Sequence, residues 1–273
     1  MATRIPYKQL EEIPGWFKRM DMEMFRLLLD ATEEKLGGGD LAELGVYLGK
    51  SAALIGCSLQ PGETFTVIDL FSEPAPSEDN QSENEEQYAE LSQEAFEGYY
   101  RAIHDELPVV VRAPSQQIVD HAGHGTHRFV HIDASHLYEH VMADIDAVRT
   151  LLKPGGVVVF DDYRTLHAPG VAAAIWREST NGLTPFAVSM NKLYATFGDA
   201  DQWVDSLKEW LEGSSFWRME VQQVAGRELV RVRRPAPKPD AEKAAASTTG
   251  SESQSKGAAA DQKRGLLSRI TRR

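Results

Sequence analysis

The sequence predicts an α/β protein: a Rossmann-like, mostly parallel sheet with helices on both faces. Short apolar runs alternate with segments of helical periodicity along most of the chain, the order expected of repeated strand–helix units. The first five of these runs are almost uniformly apolar, as strands covered on both faces must be. Turn residues, often glycine, separate the strands from the helices and end the helices.

The elements follow in order. Trp16 to Leu36 carries Phe17, Met20, Met24, Leu27, Leu28 and Ala31 at three- and four-residue steps, a helix stopped by Gly37, Gly38 and Gly39. Leu41 begins a strand that passes through a glycine-bearing turn into a helix reaching Ile55. Phe65 to Phe71 is the second strand, and a helix from about Tyr88 to Leu107 precedes the third, Val109 to Arg112. Arg128 to Asp133 is the fourth, and the helix from Tyr138 to Leu152 sets Val141, Ile145, Val148 and Leu152 on one face. Lys153 to Gly156 turns into the fifth strand, Val157 to Asp161. A helix at Gly170 to Ser179, strands at Phe186 to Ser189 and Leu193 to Phe197, a helix at Ala200 to Leu211 and a strand pair at Val221 to Val224 and Leu229 to Val232 complete the pattern.

Composition bounds the function. The 273 residues carry a net charge of -12, with 42% hydrophobic and 26% charged residues, an ordinary soluble composition. No run of about 18 apolar residues is present, so no transmembrane helix is expected. Met1 to Lys8 lacks the apolar core of a secretory signal, and Cys57 is the only cysteine, so a cytoplasmic location is expected. The acidic balance argues against broad nucleic-acid binding.

That charge is uneven. Between Ser72 and Glu90 lie Glu73, Glu78, Asp79, Glu83, Glu85, Glu86 and Glu90 with no basic residue, which reads as an acidic loop. From Ala236 onward the chain is rich in Ala, Ser, Thr, Gly and Lys, with more basic than acidic residues. The expected organisation is therefore one domain over residues 1–234 and a disordered basic tail over 235–273. The end of the tail, Gly265 to Arg273, has the composition of a partner-docking or anionic-surface peptide, or of a solubilising extension.

In sheets of this kind ligands bind beyond the C-terminal ends of the strands, so the residues just after each strand carry the information. After the first strand comes Glu43-Leu-Gly45-Val-Tyr47-Leu-Gly49-Lys-Ser51. Its glycine spacing matches neither the dinucleotide fingerprint nor the P-loop. Gly45 permits a tight turn, Gly49 a close approach to ligand, and Ser51 a helix cap, while the Glu43 carboxylate suits a ligand's amine. Asp69, after the second strand, is placed to accept both hydroxyls of a ribose. Asp133 follows the fourth strand, and Asp161 and Asp162 follow the fifth. Neighbouring strands bring these carboxylates together, where they repel unless a cation joins them, and an all-oxygen set suits Mg²⁺ or a similar hard ion. His136, three residues past Asp133, is a candidate general base. His121, His124, His127 and His131 lie close in sequence but without cysteine partners, and zinc is not expected there.

Together these motifs, with Leu152-Lys-Pro-Gly-Gly156 leading into Val157 to Tyr163, resemble the class I S-adenosylmethionine-dependent methyltransferases, in particular the macrocin-type, methyltransferase-24-like O-methyltransferases. The resemblance runs from about Gly15 to Arg234 and leaves out the acidic insert and the tail. It implies a seven-stranded sheet with an antiparallel last strand, which suits the final strand pair. It implies that the turn from Gly45 through Tyr47 to Gly49 holds the methionine part of the donor, that Asp69 holds its ribose, and that Ser115 and Gln116 lie near its adenine. It implies a divalent cation, such as Mg²⁺, on Asp133, Asp161 and Asp162, with His136 as the base. Tyr47 stands where glycine is common in the family. The implied reaction is direct methyl transfer to a hydroxyl of a small acceptor such as a sugar or secondary metabolite, in a protein compatible with homo-oligomerisation. Trp176, Tyr163 and Arg164 are candidates for the acceptor pocket. Two other readings compete: a noncatalytic binding protein of the same fold with a docking tail, and a nicotinamide oxidoreductase, which the glycine spacing and paired aspartates disfavour.

Overall fold

The computed structural model describes residues 5–74 and 91–235. The strands are β1 (Asp40–Leu44), β2 (Phe65–Asp69), β3 (Val109–Arg112), β4 (His127–Ile132), β5 (Leu152–Phe160), β6 (Leu183–Val188), β7 (Leu193–Phe197), β8 (Arg218–Val224) and β9 (Arg227–Arg233). They form one sheet in the order β3-β2-β1-β4-β5-β7-β6-β9-β8. The first five are mutually parallel, and β7 runs antiparallel to both β5 and β6.

The helices are α1 (Tyr7–Glu11), α2 (Arg19–Leu36), α3 (Lys50–Gly56), α4 (Gln93–Arg101), α5 (Tyr138–Leu151), α6 (Pro169–Glu178) and α7 (Asp201–Glu212), with a 3₁₀ turn at Ser115–Asp120. The first expected helix starts later than its periodicity suggests, because Trp16 and Phe17 precede α2 in extended chain. It ends as expected: Gly37 adopts φ 71 and donates to the Glu33 carbonyl. Ser51 does not cap α3; Gly49 occupies that position and Ser51 turns inward.

The sheet has nine strands rather than the implied seven. Antiparallel strands stand at its end as implied: β7 runs against β5 and β6, and in the final hairpin β9 is parallel to β6 while β8 runs against it. Alternation along the strands divides the core into two layers. On β5, Val157 and Val159 face α2 and α7, while Val158 and Phe160 face α5 and α6. Phe25 of α2 anchors the first layer, with edge-to-face contacts to Phe17 at 4.9 Å and Phe129 at 5.2 Å. The acidic stretch lies largely, and the basic tail from Ala236 wholly, outside the described residues. Among the described residues no helix is long and apolar enough to cross a membrane.

Candidate active site

Strand register assembles the site. Leu44 pairs with Ile132 and Ile132 with Phe160, so the next residues, Gly45, Asp133 and Asp161, fall in one row at the C-terminal edge. Because β7 is reversed, its first residue, Leu193, pairs with Phe160, which sets Lys192 beside Asp161. One step back along the strands, Glu43 pairs with His131 and His131 with Val159. A cavity of about 560 Å³ opens over this edge, within the size range of small-molecule sites.

One wall of the cavity is the turn after β1. Gly45 has φ 78, and a Cβ there would sit 2.1 Å from the Asp133 carbonyl oxygen, so only glycine lets β1 and β4 close up here. Asp69 stitches the turn to β2: its Oδ2 accepts from the backbone N–H of Val46 (2.7 Å) and Tyr47 (3.2 Å), and its Oδ1 from Phe71 (3.0 Å). A carboxylate has about four acceptor positions, so Oδ1 keeps capacity toward the cavity. Burial pushes this carboxyl up and the backbone donors oppose that. Ala113 donates to the Asp69 carbonyl at 3.2 Å, which brings Ser115 and Gln116 onto the same wall. Tyr47 and Ser51 also line the cavity. These groups fit a nucleoside donor: a glycine cradle, a carboxylate for vicinal hydroxyls and adjacent polar side chains.

The neighbouring part of the edge, after β4 and β5, is acidic. Asp133 is about a third exposed to the cavity (34%), and burial together with Asp161 raises its carboxyl well above the ordinary range. Asp161 goes the other way. Burial would raise it, but Lys192 Nζ lies 2.6 Å from Oδ2 and holds the carboxyl below its usual range. Lys192 is itself buried, and the carboxylates of Asp161, Asp133 and Asp21 overcome the cost of burial and keep it charged. An ammonium has only donors, so its 2.9 Å contact to His131 Nε2 requires a lone pair there. His131 is therefore neutral with its proton on Nδ1, which donates to Glu43 Oε1 at 2.7 Å. Ser51 Oγ donates to the same oxygen at 2.5 Å. Glu43 Oε2 has no partner, and burial pushes this carboxyl up to about 8, which matches a neutral acid carrying its proton on Oε2.

Asp162 turns away from this network. It holds φ 51, fixed by its own N–H to Asp161 Oδ1 (2.8 Å) and by the Tyr163 N–H to the Asn191 carbonyl (2.8 Å). Its Oδ2 lies 2.9 Å from Nε2 of His136, whose side chain is 9% exposed. Burial opposes ionisation of Asp162, but His136 outweighs it and the carboxyl sits below its ordinary range.

Most of the residues expected at the site converge on this one edge. Glu43, Gly49 and His136 are exceptions: Glu43 lies buried behind the wall, Gly49 packs under the Phe96 ring, and His136 does not line the cavity but contacts Asp162, which does. Asp133 and Asp161 cluster with His131, while Asp162 clusters with His136 and His167, so the three expected metal carboxylates divide into two neighbouring groups. Tyr163, Arg164 and Trp176 do not line the cavity, and the Trp176 indole donates to the Tyr163 hydroxyl at 3.0 Å. Trp16 does line it, 70% exposed and 5.5 Å from the Tyr47 ring. Among the described residues, His121, His124 and His127 join no metal-like cluster. Sequence reasoning missed Lys192, His167 and the buried Asp21, which accepts from Ser189 Oγ (2.5 Å) and the Tyr194 hydroxyl (3.0 Å). The signal for Lys192 was a lone cation directly before an apolar strand.

Residues 42–163 match the methyltransferase-24 family model, described as a methyltransferase domain. With the sheet order, that match is consistent with a class I S-adenosylmethionine-dependent methyltransferase. Among solved structures it is similar to the O-methyltransferase NovP, at 18% identity and a TM-score of 0.52, covering 68% of this chain and 84% of that one. A protein from Corynebacterium glutamicum is similar at 15% identity and a TM-score of 0.51, covering 71% and 89%. At these identities the likeness is one of fold. No curated protein matches the chain in sequence.

Proposed function

We propose that the protein transfers the methyl group of S-adenosylmethionine to a hydroxyl oxygen of a small molecule such as a sugar or secondary metabolite. The observation that carries this reading is one cavity lined by a nucleoside-type turn at Gly45 and Asp69 and, beside it, by the acids Asp133, Asp161 and Asp162, the last paired with His136. A divalent cation would be held by Asp133 and Asp161, with Asp162 of the neighbouring group reaching it through the oxygen not paired with His136: Asp133 is forced toward neutrality by its neighbours, and Lys192 offsets only part of the acidic charge. A cation bound there supplies positive charge that lowers the pKa of an acceptor hydroxyl. Ionised Asp162 accepts the Nε2 proton of His136 and orients the ring, and His136 takes the hydroxyl proton as the general base. Asp69 and the turn after β1 orient the donor so that its methyl faces the incoming oxygen, and much of the acceleration comes from that alignment. The body up to Arg234 acts as the catalytic domain of a cytoplasmic enzyme.

Calorimetry with S-adenosylmethionine, followed by methyl transfer to a panel of hydroxylated sugars and phenols, tests the reading. His136→Ala is expected to lower turnover by about 100-fold or more with donor affinity unchanged. Absence of donor binding at millimolar concentration overturns the reading, and donor binding with wild-type turnover in His136→Ala removes the base.

A further inference from the structure

We propose that Trp16 is the platform that recognises the acceptor, and that the acceptor carries its hydroxyl on a flat aromatic body, not on a free sugar. Residues 14–18, the extended chain before α2, line the cavity without interruption. This segment is held on two sides. Lys50 Nζ, at the start of α3, donates to the Gly15 carbonyl at 2.8 Å. Lys192 Nζ, beside Asp161, lies 5.5 Å from the centre of the Phe17 ring. The segment therefore crosses from the turn after β1 to the acidic edge after β5, and Trp16 stands at the crossing. Its ring is 5.5 Å from that of Tyr47 and tilted by 31°, yet the residue is 70% exposed. Under the methyl-transfer reading, on which this inference rests, the acceptor must bring its oxygen to the donor between these two places. A ring that enters there meets the indole.

The mouth supplies a second, independent observation. Leu166 is fully exposed and Met190 is about half exposed. Thr165 and His167, on either side of Leu166, line the cavity, and so does Asn191, next to Met190. The Tyr163 N–H donates to the Asn191 carbonyl and joins the two loops. Three large apolar side chains thus stand on segments that bound the same cavity as Asp133 and Asp161. Exposed apolar groups gathered at one opening mark a surface that a ligand covers. A free sugar has hydroxyls around its ring, and leucine and methionine offer them no hydrogen-bond partner when water is displaced. A phenolic or polycyclic ring satisfies both halves of the site. Its hydroxyl turns toward the acids, and its apolar body lies against the indole, Leu166 and Met190.

The test measures binding of naphthalenediol and of methyl glucoside by calorimetry to the full chain loaded with S-adenosylhomocysteine, in the wild type, Trp16→Ala, Trp16→Phe and Leu166→Ser. Naphthalenediol should bind the wild type and methyl glucoside more weakly. Trp16→Ala should weaken naphthalenediol by at least about tenfold, Trp16→Phe by no more than about threefold, and Leu166→Ser by about threefold or more. S-adenosylhomocysteine affinity should stay within about threefold in all three variants, which also reports that they fold. Wild-type naphthalenediol binding in Trp16→Ala overturns the platform, and tighter binding of methyl glucoside overturns the aromatic class. A loss confined to S-adenosylhomocysteine would assign Trp16 to the donor instead. A wild-type dimer that Trp16→Ala dissociates in sedimentation would assign the apolar mouth to a second copy of the chain. Naphthalenediol binding that depends on Trp16 in a protein that fails to bind S-adenosylmethionine or S-adenosylhomocysteine would uphold the platform and refute the methyl-transfer reading.

Discussion

Lys192→Met removes the ammonium that compensates the acidic wall while keeping most of the side-chain stem. The variant leaves Asp161 without its 2.6 Å partner and strips compensation from Asp133 and Asp21. Breaking a buried ion pair in this way costs about 3–5 kcal/mol. For a body of this size 1 kcal/mol shifts the melting temperature by about 2–4 °C, so the loss should be about 6–20 °C. The loss should also depend on pH. In the wild type, Lys192 holds Asp161 below its ordinary value, so this carboxyl contributes stability above about pH 4 and loses it only as the pH falls through the folded value. Without the ammonium, burial lifts the carboxyl instead. The native variant then binds more protons than its unfolded chain above about pH 4, and its stability falls as the pH rises. Differential scanning calorimetry at pH 5 and pH 8 should therefore find the gap between variant and wild type wider at pH 8. A shift below about 2 °C at both pH values would refute the compensating role, and a wider gap at pH 5 would refute its sign.

Three further outcomes follow from the same geometry. Glu43 is raised to about 8, so the folded state holds a proton there that the unfolded chain releases above about pH 4.5. Glu43→Gln should therefore gain melting temperature over the wild type as the pH rises from 5 to 8, and a parallel pair of curves would show that the carboxyl is ionised. Asp69→Ala removes the acceptor of three backbone N–H groups and the candidate ribose ligand, and should weaken S-adenosylmethionine by about 10–100-fold in calorimetry; an unchanged affinity would place the ribose elsewhere. Gly45→Ala forces a Cβ to 2.1 Å from the Asp133 carbonyl at a φ of 78, and should lower the melting temperature by at least about 4 °C; a wild-type melt would mean that the β1–β4 approach is looser than described.

Much of this molecule was legible in the residues. Continuous apolar runs and helical patterns located the strands and most helices, because the parallel strands are buried on both faces and α2, α5 and α7 each have one apolar side. The carboxylates were legible by position alone: each of Asp69, Asp133 and Asp161 ends or follows an apolar run, and parallel register does the rest. Partnership was not legible. Nothing local to Asp162 says that a left-handed backbone turns it from Asp161 toward His136. Nothing local to Glu43 says that Ser51 and His131 enclose it. Asp21 reads as the polar face of an amphipathic helix, yet it is buried because Ser189 and Tyr194 come from far along the chain to meet it. Such pairings depend on which strand reverses, a choice made by the whole sheet.

The reversal of β7 has a consequence for the order of events during synthesis. Asp133 and Asp161 leave the ribosome with the parallel strands that carry them, whereas their counter-charge lies beyond two further elements, α6 and β6. At translation rates of about 5–20 residues per second, the thirty or so residues between Asp161 and Lys192 take seconds to emerge. During that interval the five parallel strands can collapse around an edge whose carboxylates are still uncompensated. Docking of β7 then supplies a hydrogen-bonded neighbour for β5 and the missing cation in a single step, so covering the open edge of β5 and neutralising the site are one event.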